Sequence, residues 1–164
     1  MDKSYFAQLA HYNIWANRRV YDVVATISEE EFKLDCDVFF KSICGTLNHI
    51  LVGDIVWLAR LEGTPRMDLK LNDILHEGFA ALWQARKDQD AKILSFCEGL
   101  EEAFLETDLQ YKSIISGEYE APVKMILGHM FNHQTHHRGH VHAALTRLSK
   151  PTPDIDLIYY TLGC

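Results

Sequence analysis

PVKMILGHMFNHQTHHRGHVHAALTRL, residues 122–148, is the segment from which the rest of the chain can be read. Its apolar positions Val123, Ile126, Leu127, Met130, Val141, Ala144, Leu145 and Leu148 recur at helical spacing, so one face of a long amphipathic helix is buried. Pro122 suits the first helical position, and Lys150, Pro151 and Pro153 close the helix. Six of the nine histidines lie in this segment, at 129, 133, 136, 137, 140 and 142. With His133 as zero and about 100° per residue, the apolar residues average near +70°. His137 then falls at about +40°, His140 near −20°, His129 near −40°, His136 near −60° and His142 near 180°. The pair that points inward is His133 with His137.

Three more stripes precede it. Phe6, Leu9, Ala16, Val20, Val23 and Ile27 mark a first helix, with Ser4 as its expected cap. Ile43, Leu47, Ile50, Leu51, Ile55, Leu58 and Leu61 mark a second, from Ser42 to the Gly63-Thr64-Pro65 stop. A third is expected from Asn72 or Asp73, carrying Phe79, Leu82, Trp83, Ile93, Cys97 and Leu100. Between it and the fourth, Tyr111, Ile114 and Ile115 suggest a short hairpin or an extended loop. The tail DIDLIYYTLGC is apolar enough to pack back on the helices. Four amphipathic helices without repeats or an internal linker predict an all-α, four-helix-bundle fold in a single domain over residues 1–164.

Composition narrows the partners. The chain has 164 residues, 48% hydrophobic and 24% charged, with a formal charge of −7. That profile is globular, and the acidic balance, with Arg18-Arg19 the only adjacent basic pair, argues against nucleic acid. The N-terminal residues do not read as a signal peptide, and no apolar run approaches the roughly 18 residues of a membrane span. A cytoplasmic location is expected. Cys36, Cys44, Cys97 and Cys164 show no CxxC spacing; Cys44 and Cys97 read as small core residues within helices.

His133 and His137 form HxxxH, which stacks two imidazoles one turn apart and lets both reach one cation. Gln134 stands where the zinc-protease HExxH motif has its glutamate, so a metalloprotease is a poor fit. A third ligand would come from another helix, and His49 is the candidate. Gly45 and Gly53 lie one turn to either side of it, at a cost of about 1 kcal/mol each in a helix interior. Either a partner helix or a ligand approaches this face, and a hydrogen-bonded core histidine is the alternative. His76 reads as solvated. His11 could line a pocket; Tyr12, Asn13, Trp15 and Asn17 give that part of the first helix a polar and aromatic character, which reads first as surface polar residues with a packed Trp, while Asn13 and Asn17, one turn apart, could share a cavity.

HYNIWANRRVYD, GTLNHILVGDIVWLARLEG, HMFNHQTHHRGHVHAALT and the terminal DLIYY resemble, in this order, the DinB/YfiT-like superfamily and its damage-inducible DinB-like branch. The resemblance implies a four-helix bundle holding a divalent metal through His49, His133 and His137. Family members often carry Tyr or His at the place of His136 and Gln at that of His140, which leaves open a supporting or alternative ligand role for His140. Zinc or nickel is the expected metal, with iron or manganese as further choices, and the ligands do not single one out, since imidazole suits zinc, nickel, copper and iron alike. Three neutral imidazoles leave the cation its full charge and an open position, which can lower the pKa of water toward 7 or deprotonate a thiol. By analogy with thiol-dependent relatives, the expected function is a metal-dependent enzyme, a thiol transferase or hydrolase acting on a small electrophile in stress or detoxification. A low-molecular-weight thiol is the expected cosubstrate. Tyr12, Asn13 and His140 are pocket candidates, no residue stands out as a general base, and Arg138 is expected in a structural ion pair. The alternative is a non-catalytic metal-binding protein whose site is structural or sensory. A homodimer is the assembly that the resemblance implies.

Overall fold

The computed structural model describes residues 2–113 and 117–163. These are mostly helical, with seven helices and one two-stranded sheet among them. The long helices are α1 (Lys3–Val24), α3 (Ile43–Leu61), α4 (Phe79–Glu98) and α6 (Val123–Arg147). The short ones are α2 (Glu29–Lys33), α5 (Glu102–Leu105) and α7 (Leu157–Thr161). α3 packs on α6 and α4, and α1 packs on α4 and α6.

The caps explain where the helices begin. Asp2, not Ser4, caps α1 by accepting the Tyr5 N–H, and the Ser4 hydroxyl donates to the same carboxylate. Ser28 and Glu31 form a reciprocal capping box on α2. Ser42 caps α3 through the Gly45 N–H, as expected. The third long helix begins at Phe79, later than Asn72 or Asp73, because Asp73 closes a turn by accepting the Lys70 N–H. Residues 62–78 run as irregular chain, pinned to α3 where Asn48 bonds both the N–H and the carbonyl of His76.

The irregular stretch before the fourth long helix is a hairpin, β1 (Asp108–Lys112) against β2 (Glu118–Pro122), antiparallel with Tyr111 opposite Tyr119. Ile114 and Ile115, named with Tyr111 for a short hairpin or an extended loop, lie outside the described residues, as does Cys164. Pro122 ends β2 rather than occupying the first turn of α6, and its missing N–H costs nothing there. The tail docks only in part. Tyr160 packs on Tyr12 and Trp15 and the Ile155 carbonyl accepts the Tyr12 hydroxyl, while Ile158 and Leu162 stay exposed.

Burial separates into layers. One apolar cluster gathers Val20, Tyr21, Ile43, Leu47, Leu82, Val141 and Leu145; another gathers Phe6, Ala10, Leu58, Ile93, Leu127 and Met130. Between them in every long helix sits a buried polar residue or pair: Asn13 and Asn17, Asp54, Arg86 and Asp90, and Gln134 and Arg138. Along α1 and α6 the chain passes from the second cluster to the first, along α3 and α4 from the first to the second. Hence α1 and α6 run one way and α3 and α4 the other. Arg86 lies 2.5 Å from Asp54 and 2.9 Å from Asp90, and Asp90 accepts from Asn13 and Asn17. Burial pushes the Asp54 carboxyl above its ordinary range, against the pull of Arg86. Arg138 donates to Asn13, Asn17, Gln134 and Thr135, and among the described residues it makes no direct ion pair of the kind expected. Two carboxylates and two guanidiniums thus balance in a dry layer, as buried charges require.

Cys44 and Cys97 are buried within helices, and burial pushes the Cys97 thiol up to about 12, so it is inert. Among the described residues no helix is long and apolar enough to cross a membrane.

Candidate metal centre

α3 and α6 pack against each other, which brings His49 opposite the two inward histidines of α6. His49 Nε2 lies 3.0 Å from His133 Nε2 and 3.1 Å from His137 Nε2. The other ring nitrogen of His49 donates to the Leu71 carbonyl at 2.7 Å. That bond fixes the neutral tautomer and leaves an Nε2 lone pair facing the other two rings. His137 also has a neighbour on its other nitrogen: its Nδ1 is 3.2 Å from His140 Nδ1, and in the tautomer that donates to His140 its Nε2 carries a lone pair. Three Nε2 atoms thus converge, with the lone pair of His49 facing the other two rings. The ligand atoms of the three residues all lie within 4.8 Å of one another, and metal–nitrogen bonds of about 2.0–2.1 Å would fit inside that trio. The donor set therefore fits a divalent cation.

The electrostatics agree. Burial, and then the neighbouring histidines, lower His133 to about 4 and His137 to about 3. Burial also lowers His49, against the opposing pull of the Leu71 carbonyl. All three rings are therefore neutral at pH 7, the state a metal needs.

The surroundings are shaped around these rings. Phe40 stacks on His49 with centroids 3.7 Å apart and meets His137 edge-on, covering one side of the trio. The Phe40 carbonyl comes so close to Gly45 that a Cβ there would stand 2.2 Å from it. At Gly53 the neighbour is the His133 ring, 2.9 Å from where a Cβ would stand. Both glycines flanking His49 thus serve close approach, Gly45 to the chain's own loop and Gly53 to a proposed ligand residue. His49, Gly53 and His133 also line a cavity of about 440 Å³ that extends toward the hairpin.

The remaining candidates fall elsewhere. His140 stands behind His137, on the far side from His49, and with His136 and His137 forms a second close trio. His129 lines the cavity beside Trp57 without joining either trio. Asn13 is bound in the buried polar layer, away from the cavity. Tyr12 lines a different cavity, about 660 Å³, on the opposite face of α6 with Gly139 and His142. His11 is exposed beside Glu98, and His76 is half-buried where Asn48 holds its backbone. Sequence reasoning missed Phe40, Trp57 and Arg60 at the site. Only the position of Trp57 and Arg60 one and two turns beyond Gly53 could have marked the last two.

Protein DinB of Bacillus subtilis (strain 168) is 24% identical over 166 residues, spanning 93% of this chain and 91% of that protein. The family model described as DinB family matches residues 1–162, so the chain belongs to the DinB family.

Proposed function

We propose that this chain is a metal-dependent enzyme that activates a thiol or water for attack on a small electrophile, with zinc or nickel held by His49, His133 and His137. The convergence of three Nε2 atoms carries the reading. Four long helices packed in pairs support the bundle architecture implied by the family. A bound divalent cation supplies Lewis acidity and stabilises a thiolate or hydroxide near neutral pH. The chain's own groups do the rest. Leu71 and His140 aim two of the rings, Phe40 excludes water from one side, and the cavity beyond Gly53 receives the electrophile. The balanced polar layer holds the long helices without a metal, which favours a chemical over a structural role for the cation.

In this reading the protein acts in the cytoplasm on small molecules, as a thiol transferase or hydrolase of stress or detoxification, and pairs as a homodimer. The test loads the protein with zinc or nickel and presents small electrophiles with and without cellular thiols. Metal-dependent turnover lost in His49→Ala is expected. No turnover with any metal, or turnover unchanged in His49→Ala, refutes the enzyme reading. A metal-free protein melting far below the loaded form would instead favour a structural site.

A further inference from the structure

The cavity that opens beside His49 and His133 has a distinct far end. Trp57, Tyr111 and Tyr119 wall it, and Arg60 lines it with them. The Arg60 guanidinium lies 4.4 Å from the Trp57 ring centroid and 5.0 Å from that of Tyr111. It is 7% exposed, and its hydrogen bond among the described residues is from one terminal nitrogen to the Lys112 carbonyl at 3.1 Å. No carboxylate pairs with it among the described residues, although the chain is acidic and every other buried guanidinium sits in the balanced polar layer. A cation this dry, held flat by two aromatic rings, keeps its fork of donors available for a planar anion.

Arg60 follows Gly53 by seven residues, so it lies on the same face of α3, roughly 10 Å further along the axis. His133 packs at Gly53, His129 bridges toward Trp57, and Trp57 carries Arg60. The reacting end and the charged end thus share one wall.

We infer that this cavity takes a small carboxylate-bearing molecule, its carboxylate on Arg60, its body against Trp57 and Tyr111, and its reacting end toward the three histidines. The inference rests on the metal-centre reading for the reacting end; the carboxylate subsite does not need the metal. The carboxylate belongs either to the electrophile or to the thiol cosubstrate. In both cases neutralising it removes the partner of Arg60.

The test uses the full chain, with and without zinc, and measures zinc stoichiometry separately so that failure of the metal reading is seen on its own. Calorimetric titration compares 3-phenylpropanoate with 3-phenylpropanamide, and N-acetylcysteine with its amide. A carboxylate preference of at least tenfold in the first pair marks the electrophile as the source, and in the second pair the thiol. Arg60→Met should abolish the preference while zinc still binds one per chain, and Arg60→Lys should keep part of it. If Arg60→Met does not fold, the parent and Arg60→Lys decide. Equal binding of acid and amide in both pairs, no saturable binding of either acid at 10 mM (roughly −2.7 kcal/mol), or an undiminished preference in Arg60→Met overturns the inference.

Discussion

Gly53→Ala separates metal binding from folding. A Cβ at this position would stand 2.9 Å from His133 Cε1 and 3.3 Å from its Nδ1. Ordinary carbon contacts are about 3.5–4.0 Å, so the imidazole must retreat by roughly 0.6–1.1 Å. Metal–ligand distances tolerate only about 0.2 Å, so such a retreat breaks or badly strains the bond to His133. Misplacing a ligand through its neighbours costs about 10- to 100-fold in metal affinity, and at least tenfold is expected here. The helix itself gains about 1 kcal/mol, because alanine replaces glycine in its interior. The half-buried His133 ring has the cavity to move into, so the metal-free protein should melt within about 4 °C of the parent or above it. Competition against a fluorescent zinc chelator reads the affinity, and scanning calorimetry of the metal-free forms reads the fold. Zinc affinity within twofold of the parent would refute the placement of His133 against Gly53.

His49→Ala and His137→Ala should each weaken zinc binding at least 100-fold, measured by the same competition, with far-UV circular dichroism unchanged. Metal-free stability should fall as pH drops below about 6.5, because the unfolded histidines take protons there while His133 and His137 resist to about 4 and 3. Melting temperature against pH checks this, and a flat profile from pH 6.5 to 4 contradicts it. Asp90→Ala leaves Arg86 with one carboxylate and strips Asn13 and Asn17 of an acceptor, so it should cost about 3–5 kcal/mol in chemical denaturation. Gly45→Ala should push the Phe40 loop off His49, increasing exchange of the loop amides at Lys41 and Ser42, read by hydrogen exchange.

Helical periodicity exposed the long helices because each must bury an apolar stripe, and the wheel of α6 separated His133 and His137 from the other four histidines of that helix. His49 stood out through its flanking glycines, yet what approached them was not legible. A glycine reports that space is needed, and only the packing of α3 shows that Phe40 fills it at one turn and His133 at another. The start of the third long helix was misread because Asp73 has the chemistry of a cap and serves a turn. The polar layer escaped for a different reason. Asn13 and Asn17 were noted one turn apart, but Arg86 and Asp90 at the same spacing look like any solvated helix pair until Asp54 and Arg138 close over them. Arg60 was invisible for the same cause, since its burial depends on a hairpin 52 residues away in the chain.

The most direct measurement is an anomalous difference map from crystals grown with zinc or nickel, recorded at the metal's absorption edge. One peak per chain should lie about 2.0–2.2 Å from Nε2 of His49, His133 and His137, with an open position toward the Trp57 and Arg60 cavity. A peak bound instead by His136 and His140, or no peak at the three converging nitrogens at saturating metal, would contradict it.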